Sequence, residues 1–290
     1  MLKRSLQSAN SYLSMVKFSH TIFAMPFALI GFFLAIGSNI EDINLKLLGL
    51  IILCMVFARN AAMAFNRFAD KEIDLKNPRT SIREIPAGII KPRSALLFTI
   101  INALLFMATT WFINPLTFKL SPVALFVVMG YSLTKKFTAL CHFILGIGLS
   151  LAPIGAYISV TGKFELLPLI YSMVVFTWVS GFDIIYALQD QKFDRHENLK
   201  SIPVLIGKSK ALTLSTILHF FTALLVILAG INGGQGSYYW IGELIFISLL
   251  FYQHLLVKPD DLSKVNLAFF TTNGIASVLF ALFTILDLYI

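Results

Sequence analysis

Apolar segments long enough to cross a bilayer recur along the whole chain. A transmembrane helix needs about 20 consecutive, predominantly apolar residues, and such runs follow one another from Phe18 to Ile290. A composition that is 57% hydrophobic, with a mean hydropathy of +0.81, excludes an ordinary soluble domain. The sequence therefore predicts an all-α integral membrane protein. Its nine predicted spans cover about 18–38, 47–66, 95–113, 120–134, 138–160, 166–187, 211–230, 238–257 and 266–288.

Two features leave the number of spans open between eight and nine. The fourth run, 120–134, is short for a span. The seventh and eighth runs are separated only by GINGGQGS, whose glycines and polar residues are typical of a turn rather than of a helix interior. We expect about nine spans, with eight as the alternative.

The basic residues are distributed very unevenly between the two sides of the predicted bundle. With nine spans, one side carries 20 of the 23 lysines and arginines, and only Lys46, Lys119 and Lys163 lie opposite. Merging the seventh and eighth spans would move Lys258 and Lys264 to the opposite side, so the distribution of basic residues favours nine spans. The positive-inside rule makes the basic side cytoplasmic, so we expect the N-terminus to face the cytoplasm at a bacterial inner membrane. The net charge of +8 then reflects topology and does not indicate a nucleic-acid partner.

Two long connections on the predicted cytoplasmic side, 67–94 and 188–210, share an organisation. Each begins with acids four residues apart, contains bases and reaches an Ile-Pro pair before the next span. The outer connections are short and carry few charges. We therefore expect chemistry on polar substrates at the cytoplasmic face, with two similar half-sites built from separate helical hairpins.

The acids of these connections continue polar stripes on two spans. Residues four apart lie on one face of a helix, so Asn66, Asp70 and Asp74 form one stripe at the end of the second span. Asp183, Asp190 and Asp194, at intervals of seven and four, form another stripe at the end of the sixth span. The two acidic stripes would face each other if the helices are neighbours.

Hard oxygen ligands in this number suit Mg²⁺, which typically takes one or two carboxylates together with phosphate oxygens and water. A magnesium-bound diphosphate would balance the acids. The alternative is a metal-free loop in which the nearby bases alone pair with the acids. The bases that would flank the site in either case are Arg67, Arg79, Arg83, Lys135 and Lys136.

The same segments carry a resemblance to a known family. NRFADKEID at 66–74, followed by NPRT and REIPAG, and DIIYALQDQKFD at 183–194 resemble the paired aspartate motifs of the UbiA-type intramembrane prenyltransferases. YSLTKK at 131–136 resembles that family's tyrosine and lysine motif after the fourth span. The resemblance covers most of the chain, because nine spans and motifs after spans two, four and six all fit. The surroundings of these motifs look most like bacterial members grouped with 4-hydroxybenzoate polyprenyltransferases.

The resemblance implies magnesium-dependent transfer of a polyprenyl chain from a polyprenyl diphosphate to an aromatic acceptor such as 4-hydroxybenzoate. It implies a single transmembrane domain over 1–290, with a central cavity open to the cytoplasm and capped by 67–94 and 188–210. Two Mg²⁺ ions would bridge the diphosphate. The implied metal ligands are Asn66, Asp70, Asp74, Asp190 and Asp194, and the four aspartates are also expected to be catalytic. Lys135 is the further expected catalytic residue, and the implied substrate-binding residues are Asn66, Arg67, Arg79, Arg83, Tyr131, Lys136, Asp183 and Tyr186.

Several assignments remain open at this level. The product would serve ubiquinone or menaquinone synthesis, and a futalosine-route menaquinone precursor is the alternative acceptor. Arg79, Arg83 or Arg59 could bind an acceptor carboxylate. From another class of protein, a transporter with a cytoplasmic acidic site is the rival, although no charged relay crosses the predicted midplane. We expect no obligate protein partner beyond the lipid bilayer.

The histidines are weaker candidates. His20 begins the first span and could contact an acceptor carboxylate, although an interfacial histidine is more often solvated. His142 and His219 lie in spans, and we expect both to be hydrogen-bonded packing residues.

Overall fold

The computed structural model describes residues 10–17 and 23–290, and in this part of the chain the regular structure is helical without any β-strand. Within these residues, eight helical segments are long and apolar enough to cross a membrane, and one shorter apolar helix, Met25–Ile36, precedes them. This confirms the all-α membrane fold. His20 and the first residues of the predicted first span lie outside the described residues. The helices are α1 Met25–Ile36, α2 Leu45–Ala69, α3 Pro92–Trp111, α4 Pro115–Thr134, α5 Cys141–Thr161, α6 Leu166–Ala187, α7 Lys208–Gly233, α8 Ser237–Leu256 and α9 Asn273–Asp287.

The fourth span is longer than the sequence analysis predicted. α4 begins at Pro115, where a proline is favoured because the first turn needs no donor from it. The Asn114 side chain accepts a hydrogen bond from the Thr117 N–H and so caps the helix. The prediction that this span is short was therefore wrong. The predicted turn between the seventh and eighth spans is present. α7 ends at Gly233, and the next residue, Gly234, adopts the left-handed conformation that terminates a helix.

The helices pack mainly as antiparallel hairpins, with α6 at the centre. α6 packs against α5 and α7, α2 packs against α3, and α1 lies across α5. The crossing of α1 and α5 is close, since a Cβ added at Gly31 would lie 2.1 Å from the carbonyl oxygen of Pro153. Small residues permit such approaches between membrane helices. Trp178 and Tyr171 of α6 are completely buried in the resulting aromatic core.

Short helices follow α2 and α6 on one side of the bundle. α2 ends at Ala69, and after Asp70 a short helix covers Lys71–Lys76. α6 is followed by the 3₁₀ turn Leu188–Asp190 and then by the helices Gln191–His196 and Ile202–Ile206. Each predicted stripe therefore crosses a break, because the long helices end where the apolar sequence gives way to polar residues. Their acidic side chains nevertheless meet, as described next.

Candidate active site

A cavity of about 210 Å³ lies at the end of the bundle where α2, α4 and α6 finish and α5 begins. It is lined by residues from these helix ends and from both long connections. Predicted site residues on its wall are Asn66, Asp70, Asp74, Arg79, Arg83, Tyr131, Lys135, Lys136, Asp183, Tyr186 and Asp190. The two polar stripes of the sequence therefore meet in one place, although more than 100 residues separate them.

The first half of the site is built by α2 and the short helix after it. The Asn66 side-chain amide donates a hydrogen bond of 3.1 Å to Asp70 Oδ2, which orients that carboxylate. Arg83 reaches back over the short helix, and its Nη1 lies 2.7 and 2.8 Å from the two oxygens of Asp74. Asp74 is buried, so this charge-assisted contact compensates for its removal from water.

The second half of the site centres on Asp190. Arg79 forms a two-pronged contact with this carboxylate through Nε and Nη2, the Nε–Oδ1 distance being 3.0 Å. Its Nη1 donates to the Tyr186 hydroxyl at 2.8 Å. The Asn77 amide donates to Asp190 at 3.3 Å, while its oxygen accepts from the Arg79 backbone N–H. The first connection thereby reaches across the cavity and holds the second.

Two lysines after α4 complete the positive charge. Lys135 Nζ lies 2.7 Å from Asp194 Oδ1, and the Asp194 carboxylate is completely buried beneath it. Lys136 Nζ donates to the carbonyl oxygen of Ala69 at 3.1 Å. A cation is favoured there because the carbonyls at a helix C-terminus carry partial negative charge.

Among the described residues no lysine or arginine is bonded to Asp70, whose carboxylate accepts a hydrogen bond from Asn66. Burial, and after it the neighbouring Asp74 carboxylate, raise the pKa of Asp70 to about 6. Lys136, Lys135 and Arg83 act in the opposite direction without restoring the ordinary value. An additional positive charge at this point of the cavity would therefore be favourable.

Two predicted site residues do not line the cavity. Arg67 is 4% exposed and lies behind the wall, with Asp74, Glu84 and Arg83 as its charged neighbours. Asp194 is buried below the lysine that pairs with it. A repeat of four residues places side chains near one face, but it does not determine how the broken helices rotate after Asp70 and Asp190.

Asn77 and His142 lie on the wall and contact carboxylates of the site, but neither was assigned to the site from sequence. Asn77 was read only as part of NPRT, and its contact with Asp190 requires the chain to fold back over the cavity. His142 was expected to be a packing residue, but it contacts Asp183 on the cavity wall. The position of His142 could have been inferred from topology, because His142 and Asp183 lie at the same end of the antiparallel pair α5 and α6.

The donor set of the cavity suits magnesium. No group of three or more His, Cys, Asp or Glu side chains is close enough to hold a metal ion in the described part of the chain. Mg²⁺ does not require such a cluster, because it usually takes one or two carboxylates and completes its shell with water and substrate phosphates. Asn66, Asp70, Asp74 and Asp190 present only oxygen ligands of this kind around the cavity.

Comparison with known proteins agrees with the geometry. The model of the UbiA prenyltransferase family matches residues 24–275. The chain belongs to the UbiA prenyltransferase family. A 4-hydroxybenzoate octaprenyltransferase of Aliivibrio fischeri (strain MJ11) is 28% identical over 229 residues, which are 79% of this chain and 79% of the relative. The protein is thus a membrane-embedded prenyltransferase, and the transporter alternative is not supported.

Solved structures of UbiA homologues share the fold. The apo structure of a homologue from Aeropyrum pernix K1 superposes with a TM-score of 0.84 at 28% identity, covering 92% of this chain and 98% of that chain. A homologue from Archaeoglobus fulgidus, bound to DMAPP and Mg²⁺, has a TM-score of 0.74 at 21% identity, covering 96% and 99%. The helical arrangement described above is therefore that of the UbiA family.

Proposed function

We propose that this UbiA-family enzyme transfers a polyprenyl chain from a polyprenyl diphosphate to an aromatic acid such as 4-hydroxybenzoate, in ubiquinone or menaquinone biosynthesis. The observation that carries the proposal is the single cavity in which carboxylates from two distant segments face four cations. The activity named for the Aliivibrio fischeri relative supports the choice of acceptor. A futalosine-route menaquinone precursor is the second candidate acceptor.

Asn66, Asp70, Asp74 and Asp190, which line the cavity, would hold Mg²⁺, and Asp194 would join them when Lys135 turns to the diphosphate; two ions is the proposed number. Bound Mg²⁺ would neutralise charge that develops on the departing diphosphate. The homologue from Archaeoglobus fulgidus that binds DMAPP and Mg²⁺ supports this part of the proposal.

The four cations on the wall, Arg79, Arg83, Lys135 and Lys136, would bind the diphosphate. All four are engaged with carboxylates or a carbonyl oxygen by contacts of 2.7 to 3.1 Å. Pockets for small molecules usually measure roughly 300–1,000 Å³, so the cavity of about 210 Å³ must widen for two substrates. We infer that the arginines exchange their carboxylate partners for phosphate oxygens as the substrates bind. Arg67, buried behind the wall, would support the acids indirectly.

We assign the carboxylate of the acceptor to Arg59, which lies beyond the lining of the cavity described above. It lies seven residues before Asn66 on the same face of α2, about 10 Å deeper along the helix axis. Among the described residues no carboxylate pairs with Arg59, whose Nη2 donates to the Lys17 carbonyl at 3.1 Å. Arg79 and Arg83 are both already paired with acids. An unpaired charge inside a membrane span is expected to have a functional partner.

Asp183 would accept the proton that the aromatic ring loses. It lies on the wall seven residues before Asp190, deeper than the proposed diphosphate site. The ring attacks the prenyl carbon as the carbon–oxygen bond to the diphosphate breaks. Tyr131 on the wall would present its ring to the developing allylic cation, and Tyr186 would do so on the face that Arg79 covers in this structure.

The orientation and domain organisation are also part of the proposal. The chain would form one prenyltransferase domain over 1–290 in a bacterial inner membrane. Segments 67–94 and 188–210 would cap the cavity on the cytoplasmic side, as the excess of basic residues on that side favours.

Turnover by purified protein tests the function. The protein in detergent or lipid is given Mg²⁺, polyprenyl diphosphates of several lengths and a panel that includes 4-hydroxybenzoate and futalosine-route precursors. We expect prenylated product from one acceptor class, loss of product in EDTA and its return with Mg²⁺. Asp190→Asn should lose turnover, whereas Asp261→Asn on the loop after α8 should keep it. Release of diphosphate without any prenylated product would refute the proposal.

A further inference from the structure

His142 and Asp183 form a contact that the proposed reaction does not yet account for. His142 Nδ1, in the first turn of α5, lies 2.6 Å from Asp183 Oδ2 in the last turns of α6. The His142 side chain is 4% exposed and that of Asp183 is 20% exposed. Within the described residues, His142 is the one side chain hydrogen-bonded to Asp183. The carboxylate is therefore anchored on its buried side and open towards the cavity.

The other ring nitrogen of His142 fixes which atom carries the proton. The backbone N–H of Ile202 donates to His142 Nε2 at 3.3 Å. Because a backbone N–H can only donate, Nε2 must hold a lone pair, and the ring proton is then on Nδ1. In this arrangement the Nδ1–H of His142 donates the hydrogen bond of 2.6 Å to the Asp183 carboxylate.

Ile202 belongs to a short backbone segment, Leu199 to Ile202, that is hydrogen-bonded at three points of the site. The Leu199 N–H donates to the carbonyl of Asp194 at 2.8 Å, and the Lys200 N–H donates to the carbonyl of Lys135 at 2.8 Å. The Ile202 N–H makes the third contact, to His142. The chain turns into this segment at Asn198, whose φ of 56° lies in the left-handed region that asparagine tolerates.

We propose that His142 is a positioning residue that holds Asp183 in the orientation needed to accept the ring proton of the aromatic substrate. This rests on the proposed function. In the step concerned, a carbon–carbon bond forms between the prenyl carbon and the ring, and the diphosphate leaves with the electron pair of the broken carbon–oxygen bond. The electrons of the ring C–H bond then restore aromaticity, and the proton passes to Asp183. The Nδ1–H of His142 keeps the accepting oxygen aimed into the cavity.

The variants His142→Asn and His142→Phe separate this role from packing. Asparagine can keep a donor near the position of Nδ1, whereas phenylalanine fills the space without one. A positioned general base contributes roughly 10²–10⁴-fold to the reaction rate. We expect His142→Phe to lose part of this contribution and to lower kcat about 10-fold or more. The KM for the polyprenyl diphosphate should stay within about twofold, and His142→Asn should recover most of kcat. His196→Phe, at a histidine whose side chain is 84% exposed, is the matched control and should behave as wild type.

A double variant keeps the test decisive. In an Asp183→Asn background, His142→Phe should cause no further loss of kcat, because the group it positions is already gone. A wild-type kcat in His142→Phe would overturn the assignment, and so would a loss of kcat in His142→Asn equal to that in His142→Phe. The assignment would also fail if adding His142→Phe to Asp183→Asn lowered kcat as much as it does in the wild-type background. Absence of prenyl transfer by the wild type would instead refute the proposed function.

A measurement without turnover tests the geometry itself. In protein labelled with ¹⁵N at histidine, the resonances lost in His142→Asn identify the ring of His142. We expect them to report a neutral ring with its proton on Nδ1. A proton on Nε2 would contradict the hydrogen bond from Ile202 and overturn the proposal, whatever substrate the enzyme uses.

Discussion

At the scale of single residues, Asp70 and Glu72 show how two acids on one segment differ in their surroundings. Asp70 lines the cavity and is mostly buried, whereas the side chain of Glu72 is 85% exposed and near Lys71. The pKa of Asp70 is raised to about 6 by burial and by Asp74. In the folded protein without metal, ionised Asp70 is therefore unfavourable. Its contribution to stability is lost as the pH rises from about 4 to 6.

This predicts that Asp70→Asn stabilises the metal-free protein while removing its activity. In EDTA at about pH 7.5 the unfolding midpoint in detergent should rise, because the variant lacks the buried charge. Near pH 5 the gain should shrink, since Asp70 is then largely protonated in the wild type. Glu72→Gln should change neither the midpoint nor turnover. A loss of stability in Asp70→Asn that is the same at both pH values would contradict the assigned pKa.

Arg59 and Arg83 can be distinguished by substrate. Replacing Arg59 with methionine should raise the KM for an acidic acceptor roughly 10- to 100-fold, as expected when a hydrogen bond between charged groups worth about 1.5–3 kcal/mol is lost. The KM for the diphosphate should change little. Arg83→Met should instead affect the diphosphate and Mg²⁺, because Arg83 pairs with Asp74. Steady-state kinetics with each substrate varied in turn makes the comparison, and an unchanged acceptor KM in Arg59→Met would reject the assignment.

The residues that sequence reasoning placed correctly near the cavity are those whose position follows from helical periodicity. Asn66, Asp70 and Asp74 share a face, so if one of them lines the cavity, the other two are expected to line it as well. Periodicity does not reveal how a helix is rotated against a neighbour. Arg67, one residue after Asn66, therefore could not be separated from the lining residues by composition and charge alone.

At the scale of secondary-structure elements, a buried polar cluster holds the start of the last span. A π-helix, Leu267–Thr272, precedes α9, and Asn273 donates to the carbonyls of Ala268 and Phe269 at 3.0 and 2.9 Å. The Asn273 oxygen accepts from Trp178 Nε1 at 2.9 Å. π-Helices often occur at functional sites, and this one places Phe269 against Tyr186, with ring centroids 4.1 Å apart.

Asn273→Ala should destabilise the protein by about 1–3 kcal/mol, because the Trp178 N–H and two carbonyls lose their partner in a buried setting. The unfolding midpoint in detergent should fall. Asn232→Ala removes a single exposed contact with the Leu228 carbonyl and serves as the control, with little expected change. Equal midpoints for the two variants would show that the cluster around Asn273 does not stabilise the last span.

The helices themselves were largely predictable, since apolar length and turn residues determine where spans can begin and end. The exception is α4, whose first turns carry Lys119 and several polar residues and so lower the apparent hydropathy. A helix end inside a membrane protein can be stabilised by a cap such as Asn114, and this signal lies outside the apolar run.

At the scale of the whole molecule, the two long connections behave as one cap. Besides the contacts of Arg79 and Asn77 with Asp190, Lys76 Nζ lies 2.7 Å from Glu197 Oε2 at the exposed rim. The sequence predicted two similar half-sites, because both connections carry acids and bases in a similar order. It could not predict that Arg79 and Lys76 of the first connection pair with acids of the second, because such pairing depends on how the hairpins are arranged in space.

The cap lies on the same side as most of the basic residues, so its orientation can be tested directly. Ala87 lies in the first connection, and Lys163 lies between α5 and α6 on the opposite side; both are exposed. Cysteines would be introduced at these two positions after Cys54 and Cys141 have been replaced by alanine. If the positive-inside rule holds, Lys163→Cys reacts with a membrane-impermeant maleimide in intact spheroplasts, and Ala87→Cys reacts only in inverted vesicles.

The reverse labelling pattern would contradict the cytoplasmic orientation and leave the fold untouched. Labelling of both cysteines from one side would instead contradict the helix arrangement, because α3, α4 and α5 separate the two positions. The orientation also decides which substrates can reach the cavity. A cavity that opens to the cytoplasm would receive diphosphates made there, while the apolar prenyl chain and the prenylated product would stay between helices and lipid.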